Sequence, residues 1–108
     1  MSSVTFVITV YNKSLFLKTA IKSIIKQTGS FKKEFIFIND GSTDNSLEIL
    51  EKETKVLKNC RIVSQKNKGS ANATNIGIKL AKMKYIKFLD ADDVILKDST
   101  NALVNILE

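Results

Sequence analysis

The chain contains no proline, no histidine and no tryptophan, four glycines and a single cysteine in 108 residues. Without histidine, Cys60 has no imidazole partner to make it a nucleophile. Alone, it forms no internal disulfide, and beside the apolar pair Ile62-Val63 it reads as a small buried hydrophobe. No proline, glycine- or serine-rich linker, low-complexity run or repeat divides the chain, so residues 1–108 read as one domain with one core. No apolar run approaches the roughly 20 residues of a membrane span. The start, Met1-Ser2-Ser3, leads into a strand without the charged block of a signal peptide. A soluble, cytoplasmic protein is therefore expected. Neither a Walker loop nor G-x-G-x-x-G is present, which argues against the usual ATP and dinucleotide sites.

What is abundant is lysine. The net charge of +6 comes from 17 Lys and Arg against 11 Asp and Glu, and Arg61 is the one arginine. The lysines are scattered, whereas base-reading and phosphate-clamping proteins favour arginine. No nucleic-acid partner is expected, and no basic amphipathic helix marks a membrane surface.

Hydrophobic periodicity organises the rest. Val4 to Tyr11 reads as a strand buried on both faces. A helix follows, capped by Ser14, carrying Leu17, Ala20, Ile21, Ile24 and Ile25 at helical spacing and stopped by Gly29. Phe35 to Asn39 is a second strand, and Asp40-Gly41-Ser42-Thr43-Asp44 a turn. Asn45 with Glu48 suggests a capping box for a helix carrying Leu47, Leu50 and Leu57. Arg61 to Gln65 is a third strand, Asn67 to Asn72 a polar loop, and Ala73, Ile76, Leu80 and Ala81 the stripe of a helix. Tyr85 to Leu89 is the fourth strand and Ser99 to Leu107 the last helix. Regular β-α alternation predicts an α/β fold, a parallel sheet of about four strands with helices on both faces. Ligands of such sheets bind beyond the carboxyl ends of the strands, where Thr9, Tyr11, Asn12, Asn39 and Asp40 fall.

The fourth strand runs into Asp90-Ala91-Asp92-Asp93. Carboxylates about 4 Å apart repel by about 4 kcal/mol at an effective dielectric of 20, so such a cluster needs a cation or hydrogen-bond donors. If the chain stays extended, Asp90 and Asp92 point the same way, roughly 6 to 7 Å apart, suiting a shared metal-diphosphate group. A solvated turn capping the next helix explains the cluster equally well. Asp40 likewise is either part of an Asp-Gly turn or an acceptor for a base N–H or ribose hydroxyl. Asn67-Lys68-Gly69-Ser70 is either an ordinary loop with a helix cap or a helix N-terminus facing an anion.

Taken in order, five segments resemble the nucleotide-sugar-binding half of the inverting family-2 glycosyltransferases, which have the GT-A fold. They are Val7-Ile8-Thr9-Val10-Tyr11-Asn12, Ser23-Ile24-Ile25-Lys26-Gln27-Thr28, Ile38-Asn39-Asp40-Gly41-Ser42-Thr43-Asp44-Asn45-Ser46, Asn67-Lys68-Gly69 through Asn75-Ile76-Gly77, and Tyr85 through Asp93. The resemblance implies that Thr9 and Tyr11 line the base pocket and that Asp40 receives the nucleobase. Asp90 and Asp92 match a D-x-D motif whose acids hold ribose and a Mg or Mn ion bridging the diphosphate; no role is assigned to Asp93. The implied donor is a UDP-, GDP- or dTDP-sugar. The metal acts as a Lewis acid on the departing diphosphate.

Thr74 stands where the family usually has arginine, and Lys68 is the candidate replacement cation. Met83 takes the place of a common glycine. Family members continue to an acceptor-binding half with a later acidic general base, and only Asp98 and Glu108 follow the cluster here. The chain is therefore expected to be a donor-binding part, inactive in transfer by itself. Attachment of the full-length protein to the inner face of a membrane is an accompanying expectation. The resemblance further implies that strand one lies between strands two and four, leaving strand four as an edge through which two copies pair. A non-catalytic nucleotide-binding or assembly module of the same fold is the alternative. A phospho-acceptor domain modified at Asp40 is a third, though it would want acids near Thr9 and Tyr11.

Overall fold

The computed structural model describes residues 2–108; Met1, the first residue of the start read above, lies outside the described residues. Four strands, β1 (Ser3–Val10), β2 (Lys32–Asp40), β3 (Cys60–Gln65) and β4 (Tyr85–Asp90), alternate with helices α1 (Leu17–Ile25), α2 (Ser46–Glu53), α3 (Ser70–Leu80) and α4 (Ser99–Leu107). The strands form one parallel sheet in the order β3-β2-β1-β4. The expected architecture and the central place of strand one are both observed.

The order dictates where the helices go. The chain steps outward from β1 to β2 to β3, then returns across the sheet to pair β4 with the free side of β1. Right-handed crossovers therefore put α1 and α2 on one face and α3 on the other. Packing agrees: Leu17, Ile21, Ile24 and Leu50 share a core with Phe6, Ile8, Phe35 and Phe37, and Val104 of α4 joins it. Ala73 of α3 packs on Ile36 and Ile38 across the sheet. Central β1 and β2 are buried on both faces, which is why they read as unbroken apolar runs.

Several local expectations fail for identifiable reasons. Ser14 does not cap α1; its backbone N–H donates to Asp44 Oδ2 at 3.2 Å, and the helix starts at Leu17 without a side-chain cap. Gly29 does not end it either. The helix ends at Ile25 because the next residues hold the far loop: Thr28 N–H donates to the Lys97 carbonyl at 2.8 Å and Gln27 Nε2 to the Leu96 carbonyl at 2.8 Å. Gln27 Oε1 accepts from Thr100 N–H at 3.2 Å, which ties α4 down. The Asn45–Glu48 capping box is absent; Asp44 Oδ1 accepts from Ser46 N–H at 2.9 Å instead. Leu57 lies past the end of α2 yet packs on the core. Strand β2 runs on to include Asp40, and α3 starts at Ser70 rather than after Asn72.

The opposite end of the sheet is closed by a buried polar set. Thr5 Oγ1 donates to Glu34 Oε1 at 2.7 Å, and Lys82 N–H and Met83 N–H donate to Glu34 Oε1 and Thr5 Oγ1 at 3.0 and 3.2 Å. This network seats the turn between α3 and β4, where Met83 stands. Cys60 is half-buried against the core, and burial raises its thiol pKa, so it is no ready nucleophile. Among the described residues no helix is long and apolar enough to cross a membrane.

Candidate functional site

The carboxyl ends of the strands open on a crevice of about 380 Å³ lined by Thr9, Tyr11, Lys13, Asp40, Gly69, Asp90 and Asp92 among others. This volume lies at the small end of the range for small-molecule sites. All five residues singled out from the sequence, Thr9, Tyr11, Asp40, Asp90 and Asp92, meet here. The crevice sits where β1 and β4 neighbour each other, the point at which the strand order reverses, since β2 and β3 lie on one side of β1 and β4 on the other.

Asp40 is 3% exposed and hydrogen-bonded at both carboxylate oxygens. Its Oδ1 accepts from Gln65 Nε2 and from Lys68 N–H, both at 2.8 Å, and its Oδ2 accepts from Gly69 N–H at 3.0 Å. Burial pushes its pKa up, but the three hydrogen bonds outweigh burial and hold the carboxyl below its ordinary value. Asp40 is therefore the clasp of the loop that starts α3. An attacking carboxylate needs a free, reachable oxygen, so the phospho-acceptor alternative finds no support. Of roughly four acceptor positions on the carboxylate, three are taken within the chain.

Asp90 is paired in register with Thr9, whose Oγ1 donates to Asp90 Oδ1 at 3.1 Å. The chain does not stay extended past it. Ala91 N–H continues the ladder to the Thr9 carbonyl at 3.1 Å, and Asp93 N–H closes a turn on the Asp90 carbonyl at 3.0 Å. Asp93 Oδ2 accepts from Asp90 N–H at 2.9 Å. Asp93, to which the sequence assigned no role, thus locks the turn, which delivers Asp90 and Asp92 to one crevice by bending rather than by strand alternation. Among the described residues no group of three or more carboxylate, thiol or imidazole side chains could hold a metal unaided.

Two loops frame the other side. Asn12, at a left-handed φ of 50°, accepts at Oδ1 from Thr43 N–H at 2.7 Å and Asp44 N–H at 3.3 Å. Lys13 N–H donates to the buried Ser46 Oγ at 2.9 Å. Burial raises the Asp44 pKa, yet the bonds from Ser46 and Ser14 bring it below the ordinary value. Gly41, at φ 72°, is required by space too, since a Cβ there would lie 2.5 Å from Asn67 N. Lys68 does not line the crevice, whereas Lys13 does and pairs with Asp92 Oδ2 at 3.2 Å. Sequence reading missed Lys13, for a lysine among so many carries no pattern. Thr74 faces a smaller hollow of about 120 Å³ with Asp90 and Asp93.

Comparison with known proteins gives the same outline. Residues 5–108 match the profile of Glycosyl transferase family 2. The chain is 39% identical over 94 residues to the uncharacterized glycosyltransferase YibD of Escherichia coli, covering 87% of this chain and 27% of that protein. It is 37% identical over 101 residues to glycosyltransferase GlyG of Streptococcus pneumoniae, covering 93% and 33%. The chain thus spans about a third or less of the length of these relatives. The crystal structure of S. aureus TarS in complex with UDP superposes with a TM-score of 0.88 at 25% identity, over 97% of this chain and 32% of that one. Mannosyltransferase PcManGT from Pyrobaculum calidifontis, in complex with GDP-Man and Mn2+, shares the fold with a TM-score of 0.86 at 21% identity over 97% and 32%. With its sheet order, its crevice and its match over nearly every residue, the chain belongs to glycosyl transferase family 2 and has the GT-A fold of these enzymes.

Proposed function

We propose that the chain is the donor-binding part of an inverting sugar transferase, taking a UDP-, GDP- or dTDP-sugar in the crevice at the end of β1 and β4. The observation that carries this reading is the meeting of Asp90, Asp92, Asp40 and the α3 N-terminus around one polar crevice. Thr9 and Tyr11 form the wall against which the base lies, and the open acceptor position on Asp40 takes a base N–H. The first turn of α3 offers backbone N–H groups and a positive dipole end to phosphate.

The donor set of Asp90 and Asp92 is all oxygen, which suits Mg or Mn. Two carboxylates are too few for a closed metal cage, and Mg in particular is commonly held by one or two carboxylates with substrate phosphates completing the shell. A nucleotide-borne ion therefore fits these residues. When bound, such an ion supplies Lewis-acid stabilisation of the departing diphosphate.

Calorimetric titration with UDP, GDP and dTDP, in Mn and in EDTA, tests the reading. Binding that needs the metal and loses this dependence in Asp92→Ala is expected. Equal affinity in Mn and EDTA would refute the metal bridge. The competing module reading draws on Thr74, since a threonine brings no charge to the diphosphate. It predicts nucleotide binding without turnover even in the whole protein.

A further inference from the structure

We infer that Lys13 is a two-position counter-ion: it neutralises Asp92 while the crevice is empty and transfers to the nucleotide's phosphates when a metal takes the carboxylate. The inference rests on the metal-nucleotide reading above. Its starting point is charge. The residues lining the crevice include three carboxylates and, among the described residues, one cation, Lys13. Asp40 is compensated by three donors, and Asp90 accepts from Thr9, so Asp92 is the carboxylate that takes Lys13 Nζ, at 3.2 Å.

The backbone of Lys13 is fixed independently of that contact. Its N–H donates to Ser46 Oγ at 2.9 Å and its carbonyl accepts from Phe16 and Leu17 N–H at 3.0 and 2.9 Å. The side chain therefore swings from a rigid base in the β1–α1 loop across to the β4 turn. Lys13 and Asp92 side chains are 34% and 41% exposed, so the pair is exchangeable rather than locked. A divalent ion held by Asp90 and Asp92 would remove the reason for Lys13 to stay. A diphosphate brings more negative charge than that ion leaves uncompensated, and the freed ammonium is the cation at hand. In this chain Lys13 thus supplies a charge that Thr74 and Lys68 do not.

The two positions predict effects of opposite sign from one substitution. In Lys13→Met, Mn2+ alone, titrated by loss of its free EPR signal, should bind about two- to five-fold more tightly, the range for releasing an exposed ion pair. UDP in saturating Mn2+ should bind about ten-fold or more weakly, the range for a lost charged hydrogen bond. Lys13→Arg should keep UDP affinity near wild type. Unchanged melting temperatures would show that fold is not the cause, since the backbone bonds of residue 13 survive. Metal-dependent UDP binding that Lys13→Met leaves unaltered would overturn the inference while sparing the metal reading. Weakening of both Mn2+ and UDP would also overturn it, by making Lys13 a structural support. UDP binding indifferent to Mn2+ in the wild type would overturn the metal reading, and the switch with it.

Discussion

Asp40 holds its loop because it is charged. An amide at this position keeps one acceptor but turns an NH2 group toward backbone donors that need acceptors, leaving at least one N–H of Lys68 or Gly69 unpaired. Asp40→Asn should therefore cost about 1 to 3 kcal/mol of stability, measured by urea unfolding at pH 7. Nucleotide affinity should fall as well, since the same loop lines the crevice. The pH dependence has a definite sign. Asp40 and Asp44 both sit below their ordinary value of 3.8 in the folded chain. Their stabilisation is complete above that value and is lost as pH falls through it toward the folded pKa values, where the unfolded chain binds more protons. Asp40→Asn should flatten the loss of stability below about pH 4, and an unchanged acid profile would remove Asp40 from the account. At this scale the sequence was readable where chemistry is rare: an aspartate at the end of a buried strand, three more after another. It was unreadable for Asp93 and Lys13, whose roles come from a turn and from a reach across two loops.

At the scale of elements, the contact between α3 and β1 is the tightest constraint on the site. A Cβ on Gly77 would lie 2.2 Å from Val7 Cγ1, and β1 is the central strand with no room to yield. Gly77→Ala should destabilise the fold by about 1 to 3 kcal/mol through overpacking, even though alanine is the better helix former. It should also weaken nucleotide binding, because lifting α3 moves Gly69 and Ser70 at its start. A melting temperature at or above wild type would contradict the close approach. Element existence and type were legible throughout, since strands and helices differ in period and the core is apolar. Element ends were not. Ser14, Asn45 and Gly29 carry ordinary cap signals, but Gln27 and Thr28 bond partners 69 residues distant, and Asp44 takes Ser14 N–H of the neighbouring loop and Ser46 N–H two residues on.

For the whole molecule, the sheet has β3 and β4 at its edges, and β4 is poorly guarded. Ile86 and Phe88 are 36% and 49% exposed on it. Lysines commonly guard an edge strand against pairing, but the two beside this one are occupied. Lys87 Nζ is drawn under α4 to Thr100 Oγ1 at 3.0 Å, where burial lowers its pKa, and Lys84 Nζ pairs with Glu108 at 2.9 Å. The 108 residues by themselves should associate through this edge, and sedimentation equilibrium from micromolar to millimolar concentration should show a dimer that Phe88→Lys dissolves. A monomer at every concentration would mean that α4 shields the edge in solution. Sheet order came from the resemblance rather than from periodicity, which is blind to which strands are neighbours.

The crevice draws on Thr9, Tyr11 and Lys13 at and just past the end of β1, Asp40 at the end of β2, Asn67, Gly69 and Ser70 at the start of α3, and Asp90 and Asp92 at and just past the end of β4, so every β-α unit contributes a wall. No fraction of the sheet can bind on its own. Occupancy is then linked to folding of the entire chain, and a ligand present at a hundred times its dissociation constant holds the whole fold together by about 2.7 kcal/mol. If the proposed donor is that ligand, its supply would in this way set how long the polypeptide survives unfolding and proteolysis.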